Sequence, residues 1–123
     1  MIFKDQERMR EEFWRLTPKM RLIVVDADNY CMEHFHESPA WTEFLRTDEE
    51  QLAYFNAGQT PDKVGVHQLG RGADKRIFSD AAKTLDLIDY INKKYQYDPK
   101  RPEMKTVSIH NNAAPHLHFK SLT

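Results

Sequence analysis

The chain contains one cysteine, Cys31, so no disulfide can form within it and packing alone must hold the fold. Long apolar runs are missing too: nothing approaches the roughly 20 residues of a membrane span, and membrane insertion is not expected. The opening stretch MIFKDQERMREEFW is charged from residue 4 and lacks the apolar segment of a secretory signal, so synthesis and folding in a reducing cytosol are expected. Neither charge sign is in excess. Eighteen basic side chains against nineteen acidic ones give a formal net charge of -1, which argues against nucleic acid as a partner. Repeats, low-complexity tracts and linkers are absent, and 40% hydrophobic content argues against disorder. With 123 residues the expectation is a single domain spanning 1–123, with no separate wall-binding module.

What is present is a mixture of helical and strand patterns. Met9, Phe13 and Leu16 recur at helical spacing between Asp5 and Leu16, and Thr17 followed by Pro18 supplies the cap and first position of a second helix. That helix would bury Met20, Ile23, Val24, Ala27, Tyr30, Cys31 and His34. PAWTEFL at 39–45 reads as a short strand, and TDEE at 47–50 as a capping box opening a helix to about residue 57, with Gly58 as its stop. A short strand is expected at Ile77 and Phe78. Ser79 and Asp80 then cap a helix presenting Ala81, Leu85, Ile88, Ile91 and Tyr95 on one face. KTVSIH and HLHFKSL read as strands joined by NNAAP in a C-terminal hairpin. Without regular βαβ alternation, the fold class is α+β, with a small, mostly antiparallel sheet and about four helices.

Glycine is scarce, yet two of the four glycines fall between His67 and Asp74 in HQLGRGADKR. On a straight helix these two side chains would stand about 10 Å apart. Ligands of one tetrahedral zinc must bring their donor atoms to within about 3.5 Å of each other. Gly70 and Gly72 can supply the positive φ and close backbone approach that folds such a segment back, so the spacing suits a metal site on a turn. In PHLHF, strand alternation turns His116 and His118 to one face. Three of these four groups could complete a tetrahedral site with an open position, the fourth acting on a water there. An HxH strand pair gripping one metal with both histidines is the other arrangement.

His67-x-x-Gly70-x-Gly72-x-Asp74, taken with His116-x-His118, resembles the zinc peptidases of peptidoglycan stem peptides. These are the D-Ala-D-Ala carboxypeptidases and the L-alanyl-D-glutamate endopeptidases of phage lysins, together with the Hedgehog domains that share their fold. Their motif is Ser-x-His-x-x-Gly-x-Ala-x-Asp; here Gly65 stands for the serine and Gly72 for the alanine. WTEFLRTDEEQ and YDPKRPEMKTVSIH are similar to other parts of small phage members, and the likeness spans roughly residues 20 to 120. The resemblance implies a Hedgehog/D-Ala-D-Ala peptidase fold and zinc held by His67, Asp74 and His118. It also implies His116 as catalytic base or transition-state stabiliser, and Arg46 as a grip for a substrate carboxylate or oxyanion. No acid lies between Lys105 and His116 to take the base's place.

Arg71 and Arg76 flank Asp74 and are candidates to orient it or to neutralise substrate, and His110 is a candidate neighbour of the metal site. His34 and His36 in EHFH read as helix-end residues, and Trp14 and Trp41 as core aromatics. The expected function is hydrolysis of an amide bond in peptidoglycan stem peptides or cross-bridges by a zinc metallopeptidase. Its partners would be the peptidoglycan peptide and phage virion components. It would act at the cell wall after release, or in the virion. The competing expectations are a non-catalytic zinc-bearing domain of a phage particle and a small metal-free virion protein.

Overall fold

The computed structural model describes residues 1–112 and 114–123. It is an α+β fold: α1 (Gln6–Arg15), α2 (Pro18–Phe35), β1 (Trp41–Glu43), α3 (Asp48–Asn56), β2 (Gly72–Arg76), α4 (Ala81–Lys94), β3 (Val107–His110) and β4 (His116–Lys120). A 3-10 turn at Val66–Leu69 precedes β2. The helix ends follow local side-chain chemistry. Asp5 accepts from the Arg8 N–H and Thr17 from Met20, and Thr47 and Glu50 form the reciprocal capping box. Gly58 follows α3 with a φ of 73°.

The four strands form one antiparallel sheet in the order β1-β2-β4-β3. Its inner face carries Trp41, Ala73, Leu117, Phe119 and Val107, packed with Met20, Ile23, Val24 and Ala27 of α2 and Leu87 and Ile91 of α4. Its outer face carries the polar residues of alternate positions. Register makes that face: Asp74 pairs with His118, Arg76 with His116 and Gly72 with Lys120. On the far side of β4, Ser108 pairs with His118 and His110 with His116.

β1 does not pair evenly. Trp41 opposes Lys75 while Glu43 opposes Asp74, so the register shifts by one residue between them. In a regular ladder Glu43 would oppose Ala73 and share Trp41's inward direction. The bulge re-aims Glu43 to the outer face, beside Asp74.

Several expectations are corrected. The strand after the glycines is Gly72–Arg76 rather than Ile77 and Phe78, so Asp74 lies on a strand and not on a turn. GADKR has no β-branched residue to mark it; its backbone pairing on both sides makes it a strand. The first strand shrinks to Trp41–Glu43, and the last ends at Lys120. α4 is rotated from its expected face: Thr84, Leu87 and Ile91 are buried and Leu85 is 60% exposed, because Thr84 Oγ1 accepts the Phe78 N–H at 3.0 Å. Trp41 is a core aromatic, but Trp14 is 71% exposed, lying off the Met9–Leu16 stripe of α1. His34 is exposed as well, its ring tilted against that of Tyr30 at 4.1 Å rather than buried. The expected turn at 111–115 includes Ala113, which lies outside the described residues. No helix among the described residues is long and apolar enough to cross a membrane.

Candidate metal centre

The outer face of the sheet gathers His67, Asp74 and His118, with one potential ligand atom from each lying within 4.8 Å of the others. The bend that brings His67 back to Asp74 is made by the 3-10 turn and by Gly70 at φ 69°. A Cβ on Gly70 would approach the Arg15 carbonyl to 3.0 Å, and the Gly70 carbonyl accepts the Thr17 N–H at 2.9 Å. Gly72, by contrast, does not use positive φ. It is needed because Val66 and His67 lie where its Cβ would be.

His67 is buried and held from two directions. Its Nδ1 lies 2.9 Å from the Phe44 carbonyl oxygen, and its own carbonyl accepts the Arg46 N–H at 3.2 Å. A carbonyl only accepts, so Nδ1 carries the proton and donates it, which directs Nε2 and its lone pair into the site. That Nε2 lies 3.3 Å from Asp74 Oδ2 and 3.5 Å from Glu43 Oε1. His118 presents Nδ1 to Asp74 Oδ1 at 2.8 Å. Burial alone would disfavour charge on both buried groups. Instead His67 is raised above the ordinary histidine value, chiefly because the Asp74 carboxylate and then Glu43 outweigh desolvation. Asp74 is driven far below the carboxylate range, since His67 and His118 likewise overcome its burial. The carboxylates thus favour positive charge here, which a second proton on His67 or a metal ion can supply.

Two imidazole nitrogens and one carboxylate oxygen fit zinc chemistry, and three protein ligands leave a fourth position for water or substrate. The site lies in an open cleft of about 710 Å³. His116 also reaches it, with Nε2 3.7 Å from Asp74 Oδ2. Its Nδ1, 2.9 Å from the Ala114 carbonyl oxygen, is the donor, which leaves Nε2 as an acceptor. His110 stacks on the His118 ring at 4.5 Å; burial and its histidine neighbours lower its pKa.

Arg46 lies in the same cleft but is already engaged. Its Nη2 donates to Glu43 Oε1 and its Nη1 to Gln51 Oε1 at 2.7 Å, and its guanidinium lies over the Tyr54 ring at 4.3 Å. Gln51 is itself buried, and Gly65 packs so closely on its amide that a Cβ would meet Nε2 at 3.2 Å. This accounts for glycine at the position where the resembled motif has serine. Arg76 lines the cleft; Arg71 is not among the described residues that do. His34 and His36 end α2, outside the cleft lining.

The residue that sequence reasoning missed is Glu43. Strict alternation would have hidden it beneath the sheet with Trp41; only the bulge exposes it, and the sole advance signal was an acid in a strand otherwise flanked by aromatics. Compared with family models, curated proteins and solved structures, the chain matches none of them.

Proposed function

We propose that the chain is a zinc metallopeptidase that hydrolyses an amide bond in peptidoglycan stem peptides or cross-bridges, acting as a phage lysin or a virion-associated lytic enzyme. The observation that carries it is the convergence of His67, Asp74 and His118 on the outer sheet face, within an open cleft. These residues are the ones the motif resemblance assigns to zinc. A bound zinc ion supplies Lewis acidity toward the scissile carbonyl and a water whose pKa falls toward neutrality.

The chain's own residues divide the remaining work. The Phe44 carbonyl orients the His67 imidazole, and His118 Nδ1 faces the Asp74 carboxylate with which it would share the ion. His116 is the proton carrier: its Nε2 is free to accept, and it stands beside the ligand carboxylate. Glu43 borders the site from β1, but its Oε1 is already occupied by the Arg46 guanidinium. Arg46 thus acts by holding Glu43, rather than by offering a free fork to substrate.

Digestion of purified peptidoglycan by the zinc-loaded protein, with the new termini identified by mass spectrometry, tests the proposal. New amino and carboxyl termini within the stem or bridge support it; intact peptides in the presence of bound zinc refute it. One observation favours a second reading, a non-catalytic zinc domain: Glu43 Oε1, although paired with Arg46, lies 3.5 Å from His67 Nε2, and release from Arg46 would let it close the fourth position. In that case Glu43→Gln would weaken zinc binding, whereas under the peptidase reading zinc affinity is retained.

A further inference from the structure

The cleft holds cations that the metal centre does not use. Lys4, Arg76 and Lys120 line it. Among the described residues none of the three forms an ion pair, whereas Arg46, in the same cleft, is paired with Glu43. Lys120 places its ammonium 4.6 Å from the Tyr97 ring centroid, a contact that leaves its charge uncompensated by any acid. The acids of the cleft do not answer this charge. Glu43 is taken by Arg46 and Asp74 by the histidines, which leaves Asp62.

Backbone pairing fixes where these cations stand. Arg76 belongs to the row of His116, Lys120 to the row of Gly72, and the row of Asp74 and His118 lies midway. Two residues along a strand advance about 7 Å, so the two cations bracket the metal centre along the strand direction. Lys4 joins the Arg76 end: the Lys4 N–H bonds the Trp41 carbonyl at 2.8 Å, and the Arg76 N–H bonds the neighbouring Ala40 carbonyl at 2.9 Å.

We propose that the cleft selects acidic peptides carrying carboxylates on both sides of the scissile amide, one read by Arg76 with Lys4 and the other by Lys120. The proposal rests on the peptidase reading above and adds its substrate class. An extended peptide lying along the strands rises at the same pitch as the sheet, so the two ends of the cleft face substrate positions about two residues to either side of the metal. Arginine offers a planar fork for one carboxylate and lysine a point charge for the other.

Fluorescence anisotropy would compare a labelled, soluble stem peptide bearing free carboxylates with the same peptide singly and doubly amidated. The proteins are the zinc-loaded wild type, Arg76→Gln, Lys120→Gln and the control Lys93→Gln, with zinc content and cleavage measured on the same samples. The wild type and the control should lose about tenfold in affinity for each carboxylate amidated, the scale of one charge-assisted hydrogen bond. Arg76→Gln should lose sensitivity to amidation at one position and Lys120→Gln at the other, with zinc content unchanged. Equal wild-type binding of the acid and amide peptides overturns the proposal, even if both are cleaved. Carboxylate-dependent binding without cleavage overturns the peptidase reading while upholding the recognition.

Discussion

Gly72→Ala changes one methyl group, yet it should disturb both stability and metal binding. The added Cβ would stand 2.7 Å from Val66 Cγ2 and 3.3 Å from both the backbone nitrogen and the Nδ1 of His67. Carbon pairs rest at about 3.5 to 4.0 Å, so Val66 must yield by roughly 1 Å. A β-branched side chain has few alternative rotamers, but Val66 is only half-buried and can shift outward. Overpacking of this kind costs about 1 to 3 kcal/mol, and the stiffer unfolded chain of alanine offsets about 0.4 to 1 of it. A net loss on the order of 1 kcal/mol is expected. The effect on zinc should be larger in proportion. His67 Nδ1 donates to Phe44 at 2.9 Å, and displacing that bond swings Nε2 away from Asp74. Disturbing the group that orients a metal-binding histidine weakens affinity by roughly 10- to 100-fold.

Urea unfolding of the zinc-free protein and competition for zinc against a chelating dye measure the two effects separately. In a Val66→Ala background the added Cβ should cost little stability, because the atom it meets at 2.7 Å is gone, while the zinc defect should persist through the 3.3 Å contact with His67 Nδ1. Wild-type stability and affinity in Gly72→Ala would refute this packing argument, as would an equal stability loss in the Val66→Ala background. The outcome also bears on why glycine stands where the resembled motif carries alanine.

His118→Ala and Asp74→Ala should each lose zinc and activity together, whereas His116→Ala should keep zinc, fold normally and lose about 10² to 10⁴ in rate. Metal analysis and turnover decide between them, and zinc loss in His116→Ala would make it a ligand. Arg46→Ala should free Glu43 and expose the buried Gln51 amide, lowering stability by about 1 to 3 kcal/mol as buried polar groups lose their partner, with zinc content kept; an unchanged urea midpoint would contradict it. Lys75 is fully buried, and desolvation lowers its pKa to about 8, against 10.5 in the unfolded chain. The unfolded state then holds more protons between those values, so this lysine makes stability rise with pH there, by about 3 kcal/mol in all, and Lys75→Met should flatten the rise.

Some elements could be read from sequence because their cause is local. Thr17 with Pro18, the Thr47 and Glu50 box, and the HxH alternation each depend on a few neighbouring residues, and each stands where expected. The three residues that converge are among the four that spacing singles out, and the motif resemblance is what implies this set of three. What failed depends on distant partners. GADKR is a strand because β1 and β4 flank it, and nothing in its composition shows them. Leu85 and Trp14 face solvent because Thr84 and Met9 turn their helices inward, a choice between two apolar stripes that periodicity alone leaves open. Glu43 escaped notice because a bulge is a mismatch between two strands, and one strand cannot reveal it.

β2 shows how tightly the candidate site is tied to the fold. Asp74 faces the cleft, while its neighbours Ala73 and Lys75 face the core, so one backbone segment serves both. Lys75 keeps its ammonium beneath the sheet by donating to Ser38 Oγ at 2.7 Å and to the Pro39 carbonyl, with the Trp41 ring at 4.6 Å. Those anchors hold β2 from below, and its backbone bonds to β1 and β4 hold it from either side. The charge on Asp74 is meanwhile balanced by imidazoles from two other elements, the 3-10 turn and β4. Position and charge are thus supplied by the protein and do not depend on a metal to assemble them, unlike small domains whose folding free energy is metal binding. An ion taken up here would enter a preformed cradle, and its affinity would depend on how well Phe44 and Gly72 hold His67 and how closely His118 stays beside Asp74.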